Sequence, residues 1–245
     1  MKAMRKGIVG ACALGAMVAA SSATAQTVNR GTLDRFANEG DVDLNGNFLY
    51  AVNVSPNDVD GYFINDLFFS SSVRTEGMIM SRSEGRDNWR ERPEYGFGTA
   101  TDNFEAVMWD MRFSSSQDVH IDLAVTRGTE YKLQLFFSDA YWTEAGRRSF
   151  DIMIENELVV DELDIIAVAG THSGTPESGA VYTLEFVAQN NTLDIDLLRG
   201  TTLADGNALI NAITLEVIPS PGPLAMLAAG GGLLMTRRRR TSRDA

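Results

Sequence analysis

The chain has 245 residues, a formal net charge of −12 and a single cysteine. An excess of acids on that scale repels phosphate backbones and anionic lipid, so no nucleic acid partner is expected, while neutral sugars and cations stay open. One cysteine allows no internal disulfide, so stability has to come from a packed core, which about 190 residues can supply.

Residues 1–25 read as a secretory signal peptide: Lys2, Arg5 and Lys6 precede an apolar, small-residue run that closes on Ala23-Thr24-Ala25. Cys12, in VGAC, has hardly any apolar run before it, which argues against a lipoprotein cleavage site. Removed with the peptide, it leaves the mature chain without cysteine.

Residues 26–218 read as one domain, with no internal repeat or long linker. Near its start, EGDVDLNGN places Asp41, Asp43 and Asn45 at alternate positions before Gly46, like the first half of a calcium loop. Val52 stands where a bidentate Glu belongs and no helices are expected around it, so a polar turn leading into a strand is the expected structure. No metal site and no cofactor are assigned. Residues 82–103, RSEGRDNWRERPEYGFGTATDN, are polar and glycine-containing, and read as a long loop or flap.

Period-2 apolar alternation then recurs in HIDLAV, YKLQLFF, SFDIMI, VYTLEFV, LDIDLL and INAITLEV, and helical periodicity of any length is not evident. Many short strands about ten residues apart, with Gly, Asn, Asp and Pro at the breaks, predict an all-β fold, an antiparallel β-sandwich or jelly roll. In YKLQLFF, Tyr131, Leu133, Leu135 and Phe137 share one face, as do Phe150, Ile152 and Ile154 in SFDIMI. If these two strands pair, Ser138 to Arg148 is a loop at one end of the sandwich. A loop has no structural need for Tyr141 and Trp142 side by side; either they bind something or one of them tucks over the core edge.

Beyond Val217 the sequence IPSPGPLAMLAAGGGLLMTRRRRTSRDA combines a Pro-rich break, a short apolar stretch from Leu224 to Met235 and the cluster Arg237 to Arg240. The stretch is short beside the roughly 20 residues of a free membrane span. Residues 219–245 resemble the PEP-CTERM sorting signal of Gram-negative bacteria, with Ser220 where that signal usually has Glu. The resemblance implies a sorting and processing membrane protease, the exosortase, as a partner; a plain C-terminal anchor gives the same topology. Either way the middle domain is expected outside the inner membrane, at the cell surface or in the extracellular matrix. Setting both ends aside takes the formal charge from −12 to −19 and leaves Lys132 as the only lysine.

YKLQLFFSDAYWTEAGRRSFDIMIENELVVDELDI, followed by LDIDLLRGTTLADGNALINAITLEV, resembles the malectin domain, a carbohydrate-binding jelly roll with a galactose-binding-like fold. The residues that carry the resemblance are Phe137, Asp139, Tyr141-Trp142, Arg148, Phe150-Asp151-Ile152, Val159-Val160 and Asp164-Ile165. Asn156-Glu157 departs from the family's usual Asn-Gly turn. Upstream, Ala51 to Val54 and Arg112-Phe113 are similar to the opening strand and to an Arg-aromatic pair. The resemblance implies that a glucose-type oligosaccharide or extracellular polysaccharide is held by the aromatics Phe113, Tyr141 and Trp142 and by Asp205. A further tyrosine of the family site has no counterpart; Glu76 falls near it, and Tyr95 or Phe97 from the long loop are candidates to replace it.

Sugar chemistry agrees with that set. A pyranose has an apolar C–H face for an aromatic platform and a hydroxyl rim for a fixed acceptor, and an ionised Asp205 would accept two strong hydrogen bonds. The other reading of Asp205 is an ordinary Asp-Gly turn before the last strand. Catalysis is not expected. A serine nucleophile needs a histidine, and only His120, placed in a strand, and His172, in a Gly/Ser/Thr-rich loop without a nucleophile-elbow pattern, exist. The abundant acids leave a glycosidase pair formally open. Two hypotheses result: a non-catalytic carbohydrate-binding protein, or a structural or adhesive surface protein that uses the jelly roll for protein contacts.

Overall fold

The structure, a computed structural model, describes residues 31–57, 61–96 and 98–219. The expected signal peptide and, but for Pro219, the expected sorting segment lie outside the described residues.

The first half of the domain holds β1 (Thr32–Phe36), β2 (Phe48–Asn53), β3 (Tyr62–Ile64), β4 (Leu67–Ser71), β5 (Met78–Ser81) and β6 (Glu84–Arg86). Helix α1 (Thr99–Trp109) follows, then β7 (Met111–Phe113), β8 (Val119–Ala124), β9 (Glu130–Phe137), β10 (Phe150–Ile154) and β11 (Glu157–Leu163). A short helix α2 (Ile165–Ala169) precedes β12 (Gly179–Val187), β13 (Thr192–Arg199), β14 (Leu209–Ile210) and β15 (Ala212–Val217). A seven-stranded sheet in the order β1-β12-β9-β15-β2-β4-β3 faces a five-stranded sheet, β11-β10-β13-β8-β5, and a three-stranded sheet, β14-β7-β6, closes one end. All pairings are antiparallel except β2 with β4. This is the expected β-sandwich.

The six alternating segments all lie in strands, and their apolar faces meet. Tyr131, Leu133, Leu135 and Phe137 pack against Val119, Ile121, Leu123, Phe150, Ile152, Ile154, Leu193, Ile195 and Leu197 in one buried core. Burying each such side chain is worth about 1.5–3 kcal/mol, so this layer dominates the stability of a chain without disulfides. The seven-stranded sheet is covered on its other face too. Phe136 packs there with Phe36, Phe69, Tyr95, Phe104, Val107 and Met108, beneath α1. That second core explains the continuous Phe136-Phe137 pair at the end of β9: a strand buried on both faces has no polar side to alternate with.

Three expectations are corrected. The segment read as a loop or flap over 82–103 contains β6 and the start of α1. Thr101, Phe104, Glu105 and Met108 of that helix are buried at helical spacing. Tyr95 is in the second core, edge-on to Phe36 at 5.3 Å, and cannot serve a surface site. YKLQLFF and SFDIMI do not pair: β9 belongs to the larger sheet and β10 to the smaller. Ser138 to Ser149 is therefore a crossing between the two sheets. The hairpin in this region is β10–β11, where Glu155 (φ 51) and Asn156 (φ 64) make the two-residue turn, one residue before the Asn156-Glu157 position read from the sequence.

The polar turn expected near residue 41 is present. An Asp41 carboxylate oxygen accepts from Ala37 N (2.8 Å), Asp43 accepts from Asn45 N (3.1 Å), and Asp43 also pairs with Lys132. Both acids thus serve the chain around them.

Candidate functional site

The crossing from β9 to β10 is built before it is decorated. One Asp139 carboxylate oxygen accepts from Tyr141 N (2.8 Å) and Trp142 N (3.2 Å), a side-chain turn that sets the direction of both rings. Its other oxygen lies 3.3 Å from Arg148 Nη1. His172 holds the same turn from outside. Its Nδ1 accepts from Gly174 N (3.2 Å), so Nε2 carries the proton and donates to Asp139 O (3.0 Å). Both ring nitrogens of the histidine are thus engaged in clasping a loop.

Arg148, buried, joins this crossing to the loop before β14. Its Nε and Nη2 donate to Asp205 Oδ2 at 3.1 and 2.8 Å, and Trp142 Nε1 donates to the same oxygen at 2.9 Å. Asp205 Oδ1 accepts from Asn207 N (2.9 Å), so the Asp-Gly turn is real and the carboxylate also organises the aromatic loop. The backbones run together here, with Ser149 N to Asp205 O and Asp205 N to Arg147 O both at 3.1 Å. Next to this pairing Gly206 lies against Gly200, an approach only glycine permits: a Cβ on it would sit 2.1 Å from Gly200 O. Burial alone would raise the Asp205 carboxyl. The hydrogen bonds from Trp142 and Asn207 and the charge of Arg148 outweigh it and hold the group below the usual carboxylate range.

Around this network lies a cleft of about 400 Å³ lined by Trp89, Met111, Phe113, Tyr141, Trp142, Arg148, Arg199 and residues 204–207. All four residues assigned from sequence, Phe113, Tyr141, Trp142 and Asp205, line it. Tyr141 is 43% exposed and packs edge-on against Trp142 at 4.8 Å between centroids. Glu76 is exposed on the link between β4 and β5 and does not line the cleft. The aromatic supplied by the long segment is instead Trp89.

Trp89, Arg199 and Asn207 were not foreseen. Arg199 ends β13 and donates through Nη1 to Asn207 Oδ1 (2.8 Å) and Ser114 O (3.4 Å). Four further guanidinium contacts surround the aromatics. Arg86 sits 5.1 Å from the Phe113 centroid, Arg90 4.3 Å from Tyr141, Arg147 5.8 Å from Trp142 and Arg148 5.9 Å from Tyr141. The cleft thus offers flat aromatic faces and N–H donors. Asp205 is the one carboxylate among its described lining residues.

Residues 103–213 match the family model for the malectin domain. The ectodomain of ANX2 from Arabidopsis thaliana shares the fold at a TM-score of 0.56, with 12% identity over 71% of this chain and 50% of that chain. The plant receptor-like kinase FER does so at a TM-score of 0.52, with 14% identity over 71% of this chain and 50% of that one. A further structure, of the plant peptide RALF23 in complex with FER and LLG2, matches at 0.50, with 15% identity over 71% and 49%. This chain spans about half the length of the structures it matches, and no curated protein sequence matches it. No helix among the described residues is long and apolar enough to cross a membrane. The described domain is a malectin-like β-sandwich, and residues 103–213, which hold Phe113, Tyr141, Trp142, Arg148, Arg199 and Asp205, carry the malectin-domain match.

Proposed function

We propose that this chain is an exported, surface- or matrix-tethered, non-catalytic carbohydrate-binding protein, and that the cleft between Trp89, Phe113, Tyr141 and Trp142 grips an oligo- or polysaccharide. The observation that carries this reading is convergence: four residues nominated as a sugar site, from three separate segments, line one cleft with their loops hydrogen-bonded in place. A preorganised platform spends little ordering entropy on binding. Asp205 acts mainly as an organiser of the rings, because three donors already occupy its Oδ2. Non-catalytic action is supported by that same engagement: a glycosidase needs a second carboxylate about 5–9 Å away with a proton to give or take. The signal-peptide-like start and the sorting-signal-like end of the sequence support a location outside the inner membrane, with a processing protease as a transient partner.

A second reading, a structural or adhesive protein working through protein contacts, is favoured by one feature. Phe63 and Phe68, 58% and 45% exposed, lie tilted against each other at 4.8 Å on the β3–β4 hairpin at the edge of the larger sheet. Calorimetric titration of the full chain with glucose, mannose and uronic acid oligosaccharides, beside Tyr141→Ala, separates the two. Tyr141 is exposed, so its loss leaves the core intact. Binding weakened about tenfold or more in that variant supports the glycan reading, and no heat with any glycan sinks it.

A further inference from the structure

Resting on the glycan reading, we infer that the ligand of this cleft is an acidic saccharide, a hexuronate whose carboxylate is seated on Arg199 with Arg90 at the rim.

The starting point is an uneven distribution of charge. The domain carries −19 by sequence, yet five of its arginines, Arg86, Arg90, Arg147, Arg148 and Arg199, gather on the cleft and its aromatics. Three of them are answered locally: Arg148 by Asp139 and Asp205, Arg147 by Glu144, Arg86 by Glu84. Arg90 and Arg199 have no carboxylate within 4.0 Å among the described residues. Two cations at the mouth and wall of a cleft in so acidic a domain are what an anion needs.

The hydrogen bonding of Arg199 points the same way. Both of its side-chain bonds leave from Nη1, so Nε and Nη2 take no partner among the described residues. That edge of a guanidinium is a two-pronged donor with the spacing of a carboxylate. Asn207 and Ser114 O hold the group in place, so little rotamer freedom remains to be lost on binding. Acceptors, by contrast, are scarce. Asp205 already takes four hydrogen bonds, and neutral hydroxyls would find few partners for their protons. A lining rich in aromatic faces and N–H donors suits a ring with one apolar face and a carboxylate on its rim.

The distant acids do not cancel this. At physiological salt the screening length is about 8 Å, so Arg90 and Arg199 set the potential inside the cleft while most of the −19 acts only on approach. Arg86, Trp89 and Arg90 also lie outside residues 103–213, so this side of the cleft is not part of the malectin-domain match.

The test compares acids with their own esters. The full chain is titrated calorimetrically with oligomers of galacturonate, mannuronate and glucuronate, with the methyl esters of the same oligomers, and with a glucose tetrasaccharide. One of the acids is expected to bind at least about tenfold tighter than its ester, and this preference should shrink as salt is raised. Arg199→Gln should abolish the preference. Arg90→Gln, at an exposed position, should lower it severalfold. Esters and the glucose oligomer binding as well as the acids, with Tyr141→Ala still damaging, would leave the sugar platform standing and overturn the anionic ligand. No binding of any saccharide would overturn both.

Discussion

The cleft end of the sandwich and the outer face of the five-stranded sheet both concentrate charge, with opposite excess and opposite consequence. On the sheet face, His120 and Asp122 of β8 meet Asp194 and Asp196 of β13 in register, Asp196 opposite His120 and Asp194 opposite Asp122. His120 Nδ1 lies 2.8 Å from Asp196 and 3.8 Å from Asp194, and its Nε2 lies 3.3 Å from Asp122. Three acids share one weak base on an open surface, and the pairs only join two strands that are already hydrogen-bonded. At the cleft the cations are in excess and the central ion pair is buried: Asp139 is 3% exposed and Arg148 8%. There the same kind of interaction fixes the positions of Tyr141 and Trp142. Burial decides whether an ion pair is architecture or ornament, because water screens the first set far more than the second.

The largest expected effect therefore comes from the buried side. Arg148→Ala leaves two carboxylates, Asp139 and Asp205, uncompensated, and breaking such a pair costs about 3–5 kcal/mol. Denaturant unfolding checks it; a loss below 1 kcal/mol would place the cleft network in the same class as the sheet surface. Gly206→Ala comes next. Its Cβ would meet Gly200 O at 2.1 Å, a backbone atom that cannot swing away, so about 1–3 kcal/mol is expected together with displacement of the loop that carries Asp205. Trp142→Phe is milder. It keeps a ring in the cleft and removes one of the three donors on Asp205 Oδ2, for about 1 kcal/mol. Loss of glycan binding without any loss of stability in that variant would show that the indole face, and not its hydrogen bond, is what matters.

The same contrast governs what could be read beforehand. Strands with one face in the core, such as β8 and β13, announce themselves by alternation, and all six alternating segments are strands. Alternation does not say which sheet a strand joins, so Ser138 to Arg148 reads as a hairpin loop when it is a crossing. Helix α1 was hidden because it is short, starts at Gly98 without a side-chain cap, and buries Glu105 among its apolar residues. Glu105 is there to accept from Tyr95 N at 2.7 Å. The spacing of Phe104, Val107 and Met108 was the available signal. At the cleft, the residues nominated came from a resemblance to the malectin domain. Trp89 and Arg199 come from chain segments more than a hundred residues apart, and nothing in either local sequence marks them as neighbours.

The smallest effect belongs to the sheet face, and its sign follows from the titration of His120. Partial burial alone would lower the imidazole. The hydrogen bond and charge of Asp196, with the charges of Asp122 and Asp194, outweigh it and raise the pKa above its ordinary value. A group raised on folding contributes its full stabilisation below its unfolded value, about 6.5, and loses it as pH climbs through the folded value. Wild type should therefore exceed His120→Gln in thermal stability most clearly near pH 6, and the gap should close on the alkaline side. With solvent at the cluster, the gap should stay below about 1 kcal/mol. Melting temperatures of both chains from pH 6 to 9, above the range where the aspartates titrate, measure it directly. A gap that widened with pH would mean that the neutral imidazole is the form the fold prefers, and that the three aspartates are held by something other than the histidine's charge.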